Sequence, residues 1–117
     1  MSEQHWPWQF GKLAQAVDIL VTGEGKVRER VWAATEYLNA LHPEMVPPSC
    51  RKDLEWIQKA LTKYPADKHY KSAMEATYHR TRNATAAKIA KSIWRMYNQF
   101  RFELHLPAAE RAKMIEP

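Results

Sequence analysis

Apolar residues recur every three or four positions along most of the chain, and the recurrence stops at prolines and glycines. That spacing predicts amphipathic helices rather than strands, whose faces alternate every second residue. Phe10, Leu13, Ala14, Val17, Leu20 and Val21 form one such stripe, predicting a helix from about Trp8 to Val21 with Pro7 suited to its first turn. Gly23 is expected to take positive φ beyond its end, and Gly25 to permit a tight return. Val27, Val31, Ala34, Leu38 and Leu41 predict a second helix from about Lys26 to Leu41. Arg28, Glu29, Arg30 and Glu36 face outward on it, Glu24 pairs with Arg28, and Trp32 laps over a neighbouring helix. His42-Pro43 ends this helix, because the residue before a proline is driven out of the α region.

Pro43, Pro47 and Pro48 stiffen the next loop, over Met45 and Val46. Ser49 is expected to cap a third helix that runs to about Lys63, with Leu54, Ile57, Leu61 and Tyr64 inward and Trp56 near the edge. Past Pro65, a fourth helix starts near Tyr70 or Ser72 with a loose stripe of Tyr70, Ala73, Met74, Thr77 and Tyr78. A short break is expected at Arg82–Thr85, where Asn83 or Thr85 can cap the next helix. The stretch Tyr78–Leu104 contains the longest helix. At about 100° per residue, Ala86, Ile89, Ala90, Ile93, Tyr97, Phe100 and Leu104 share one face, while Lys88, Lys91, Ser92, Arg95, Gln99 and Phe102 share the other. Pro107 then opens a terminal helix, Ala108 to Ile115, with Met114 and Ile115 making a small apolar contact. The expected fold is all-α: one domain over residues 1–117, an irregular bundle of five or six helices with the long basic helix at its centre.

Composition agrees with this reading. An apolar fraction of 45%, 26% charged residues and only three glycines describe a globular helical chain. The single cysteine, Cys50, has no partner for an internal disulfide, which suits a reducing compartment. Nothing resembles a leader peptide or reaches the roughly 20 apolar residues that span a bilayer. A cytoplasmic, bacterial protein is expected, with no membrane contact.

Charge changes the picture more. Residues 68–101 carry eight Lys or Arg and one acid, Glu75, for a net of +7; the remainder carries ten basic and twelve acidic groups, for −2. Such segregation is an electrostatic footprint for nucleic acid or an acidic protein surface, against the plain alternative of a solvated helix face. Arg80, Arg82, Lys88, Lys91 and Arg95 recur at spacings that can follow a phosphate backbone. Trp94 and Phe102 lie off the apolar face, where a ring can stack on a base or fill a partner's pocket unless neighbouring helices cover it.

Other chemistry is thinner. TGEGKV is too short for a phosphate-binding loop, follows a helix, and has Val27 where magnesium would need Ser or Thr. Cys50, in a first helical turn beside Arg51 and Lys52, has the setting of a low-pKa thiol, but a small gap-filling residue is the plainer reading. Glu75 and His79 are spaced as two metal ligands on one helix face, with no second pair to complete a site. Arg82-Asn83, and Arg101 with His105, bear a slight resemblance to the Arg/His pairs of HEPN-type ribonucleases. The run TAAKIAKSI lacks the turn a helix-turn-helix requires.

The blocks VTGEGKVRERVWAA, RKDLEWIQKALTK and RNATAAKIAKSIWRMY resemble those of a group of short all-helical bacterial proteins of unknown function. The resemblance covers roughly residues 10–100. It implies a helical domain and no activity, ligand or site residue. The leading expectation is a non-enzymatic module that binds nucleic acid through its phosphates, with no catalytic residue, metal or cofactor. The alternative is an adaptor or inhibitor docking on an acidic protein surface, with Trp94 or Phe102 as anchor. A small HEPN-like ribonuclease comes third, and the aromatic surface leaves room for a homodimer.

Overall fold

The long helix forms where it is expected, as α6 (Asn83–Leu104), and α1, α2 and α4 pack around it. The computed structural model describes residues 3–115. Among these, α1 (Trp6–Thr22), α2 (Val27–Ala33), α3 (Thr35–Asn39), α4 (Pro48–Leu61), α5 (Ala73–Arg80) and α7 (Ala108–Ile115) complete seven α-helices, with 3-10 turns at Glu3–His5 and Pro43–Met45. No strand occurs among the described residues. The side chains of Met114 and Ile115 lie outside them, and so does the contact expected there.

Seven helices replace the expected five or six because Lys26–Leu41 is interrupted at Ala34, which takes φ −88° and ψ −3°. The Thr35 hydroxyl donates to the Trp32 carbonyl at 2.8 Å, a local bond that competes with the helical ladder. Gln58 of α4 then donates to the carbonyls of Leu38 (3.2 Å) and Leu41 (2.9 Å), satisfying groups that the end of a helix leaves open. At the preceding loop Gly23 is extended (φ −68°), and Gly25 is the residue with positive φ, +89°. Gly23 instead approaches Ile19 so closely that a Cβ would meet its carbonyl oxygen at 2.5 Å.

Stripes of α2–α4 largely match expectation: Val31, Ala34, Leu38, Leu41, Leu54, Ile57 and Leu61 are buried, while Val27 and Tyr64 are half-buried. Two other stripes are rotated. On α1, Trp6, Gln9, Leu13, Ala16 and Val17 are buried, while Val21 is 71% exposed; Val21 sits about 80° round from Leu13 at the last turn. Gln9 belongs inside because its Oε1 accepts from the His42 N–H at 2.9 Å. On α6, Ser92, Met96 and Glu103 are buried beside Ala86, Ile89, Ile93 and Phe100, whereas Ala90, Tyr97 and Leu104 are half-buried.

The polar side of the α6 rotation is hydrogen-bonded. Ser49 does not cap α4, whose N-cap is Pro47. Its hydroxyl donates instead to Glu103, which also accepts from Gln99 at 2.9 Å. A buried carboxylate supplied with donors can be tolerated inside, so the α4 side of α6 can lie in the core.

The break between α5 and α6 is two residues long, Thr81 and Arg82, both extended. Asn83 and Thr85 are therefore already helical and cap nothing on α6. Asn83 Oδ1 accepts from the Arg28 N–H at 3.1 Å, so it caps α2 from 55 positions away. Arg28 is half-buried rather than outward, and is not paired with Glu24. It donates to the Thr81 carbonyl at 3.3 Å and lies 4.7 Å above the Tyr78 ring.

Candidate functional site

The inward stripe of α4 leaves Lys52, Trp56, Lys59 and, just past the helix, Lys63 on its outer face, at i, i+4, i+7 and i+11. The rotation of α6 turns Lys88, Lys91 and Arg95 toward that face. At the far end the Thr77 hydroxyl accepts from the Tyr64 N–H at 2.9 Å, holding α5 beside the end of α4. Arg80, the last residue of α5, and Arg82, in the α5–α6 break, are thereby brought to the same side of the molecule.

Between these elements runs a groove of two adjoining hollows. One, of about 530 Å³, lies between Lys52, Asp53 and Trp56 of α4 and Lys88, Lys91, Ser92 and Arg95 of α6. The other, of about 690 Å³, lies between Lys59, Lys63 and Tyr64 on one side and Arg80, Thr81, Arg82 and Thr85 on the other. Trp56 lines both. Each hollow has four cations in its wall, and Asp53 is the one carboxylate lining either. All five cations expected from the sequence lie here. Lys52, Lys59, Lys63, Trp56 and Tyr64 are not among the residues expected from the sequence, although the helical spacing of Lys52, Trp56 and Lys59 on α4 is readable once the core stripe of that helix is known.

Two aspartates position guanidinium groups in the groove. Asp53 accepts from Arg95 at 2.9 Å, and this bond, followed by the carboxylate's charge, raises the Arg95 pKa further above its ordinary value. Asp67 meets Arg80 at 3.1 Å. The Tyr70 and then the His69 backbone N–H, at 2.9 and 2.8 Å, hold the Asp67 carboxyl below its usual range, with Arg80 adding a smaller effect. Both arginines remain at least half exposed, so water and salt screen these pairs and the heads can still meet an incoming anion. Arg80 also lies 5.3 Å from the Tyr64 ring. Arg82, Lys88, Lys91, Lys52 and Lys59 are exposed and form no ion pair among the described residues.

The expected aromatic anchors lie outside the groove. Trp94, 52% exposed, stacks on Tyr97 of its own helix at 5.6 Å rather than on α5, and Tyr97 stacks on Phe10 at 5.2 Å. Phe102, 56% exposed, is left uncovered. Arg101 and His105 are exposed near the other end of α6, about 28 and 34 Å along the helix from Arg82 at 1.5 Å per residue. His79 stacks on Tyr70 at 4.6 Å, and the described residues contain no group of three side chains fit for a metal. Cys50 is buried, with its thiol directed to the Met96 carbonyl at 3.8 Å; burial pushes its pKa up to about 12, the reverse of an activated nucleophile.

The fold and groove define an all-α protein with one concave basic surface, and no helix among the described residues is long and apolar enough to cross a membrane. No protein-family model, curated protein sequence or solved structure matches the chain.

Proposed function

We propose that the groove binds nucleic acid through its phosphates. The observation that carries the reading is the arrangement of eight cations from α4, α5 and α6 along one concave surface containing a single carboxylate. Lys52, Lys59 and Lys63 face the cations of Arg80–Arg95 across the groove, so a polyanion lying in it is neutralised from both sides. That geometry releases condensed counterions and makes affinity fall with salt. Two aspartate-held arginines accompany exposed lysines, which suits an irregular sequence of phosphates better than a single fixed anion.

The test is to titrate labelled DNA and RNA against the wild type and a Lys88→Glu/Lys91→Glu/Arg95→Glu variant at two salt concentrations. The wild type is expected to bind at low salt. The variant is expected to bind weakly, with the slope of log affinity against log salt shallower by about 2–3, the share of three lost phosphate contacts. A wild type that binds neither polymer at low salt would sink the reading. A second reading is favoured by Trp94 and Phe102, exposed outside the groove. There an acidic protein surface meets the cations while one of these rings anchors it.

A further inference from the structure

Trp56 stands apart from the other tryptophans. Trp6 meets Phe100, Trp8 lies under Lys12, Trp32 packs on Tyr78 and donates to the Met74 carbonyl, and Trp94 stacks on Tyr97. Trp56 is 47% exposed, and its ring meets no other ring or cation among the described residues. It is also the wall common to both hollows, with four cations on each side. A large ring half in water at the middle of a polyanion groove has a π-face available at the point where a base would pass.

We propose that the groove takes a single strand of DNA or RNA, with one base stacked on Trp56 and the flanking phosphates met by the cations of the two hollows. This rests on the nucleic-acid reading above and specifies its substrate class. The shape favours a strand over a duplex. In a duplex the bases are stacked inside, and a protein reaches them by inserting a helix or ribbon into a groove. Here the cations and the ring border a hollow between α4 and α6, and it is the nucleic acid that must enter. From Lys52 to Lys63 the wall formed by α4 and the residues just past it runs about 16 Å at 1.5 Å per residue, room for only a few nucleotides. Stacking is indifferent to base identity, so the strand is bound with little sequence preference.

The experiment compares labelled oligo-dT and oligo-U strands with a duplex of mixed sequence, using wild type, Trp56→Ala and Trp56→Phe at two low salt concentrations. Circular dichroism melts confirm that each variant is folded. Strands are expected to bind at least tenfold tighter than duplex. Trp56→Ala is expected to lose about 5- to 100-fold on strands, with an unchanged salt slope and little change on duplex, and Trp56→Phe to keep most of the affinity. Relative affinity for the dT and U strands tells DNA from RNA. Equal binding of strand and duplex, or full strand affinity in Trp56→Ala, overturns the stacking proposal while leaving phosphate binding intact. Loss of all binding in the wild type overturns both.

Discussion

At the scale of single residues, Asp67 shows how a local bond pattern prepares the surface. Its Oδ1 accepts from two successive backbone N–H groups, those of His69 and Tyr70, and its Oδ2 holds Arg80. The bonds favour the charged carboxylate, so the folded-state pKa lies below the ordinary value of 3.8. A depressed carboxylate contributes stability that is fully present above its unfolded pKa and lost as pH falls through the folded one. The turn at residues 67–70 is therefore expected to stay closed through weakly acidic pH and to open only below 3.8. Amide shifts of His69 and Tyr70, followed by NMR, should titrate with a midpoint under that value; one at or above it would show that the carboxylate is not held. Cys50 illustrates the limit of local reasoning. Its sequence neighbours are Arg51 and Lys52, but burial under α6 outweighs them.

At the scale of elements, the ends of helices are satisfied largely by distant side chains. Arg30 of α2 donates to the Leu20 carbonyl at 2.8 Å near the end of α1, and Gln58 closes α3. Asn83 on α6 caps α2. An N-cap bond of this kind is worth about 1 kcal/mol, so Asn83→Ala is expected to cost about 0.5–2 kcal/mol in urea unfolding. Thr85→Ala, which removes no such bond, should cost much less. If the two variants were equal, the cap would be a coincidence of packing. The same long-range bonds explain why helix existence was readable and helix boundaries were not. Periodicity reports which face is buried, while the split at Ala34 and the break at Thr81–Arg82 depend on groups that arrive from elsewhere in the chain.

At the scale of the molecule, α6 is the common partner of α1, α2 and α4. Phe100 is fully buried within it and takes the edges of Trp6 at 6.2 Å and Phe10 at 5.3 Å. Removing a ring from such a site leaves a cavity, and Phe100→Ala is expected to cost about 3–5 kcal/mol, a large part of the stability of a small domain. Chemical denaturation measures it directly; a loss under about 1 kcal/mol would mean that α1 and α6 are not held together here. Cations on the opposite side of α6 carry no such duty, so a variant that abolishes binding while its melt stays near that of the wild type separates surface from core.

The sequence alone determined an all-helical chain, the inward stripes of α2 to α4 and a concentration of positive charge in residues 68–101, because apolar spacing and net charge are properties of neighbours along the chain. It also named Arg80, Arg82, Lys88, Lys91 and Arg95. Only the tertiary structure decided which way α1 and α6 turn, since buried Gln9 and Glu103 look like surface residues until their partners His42 and Ser49 are in place. That turn brings the α6 cations opposite Lys52, Lys59 and Lys63, and makes Trp56, rather than Trp94, the tryptophan in the groove. A row of cations on one helix is written in the sequence; a groove needs two walls, and the second comes from whichever helix packs alongside.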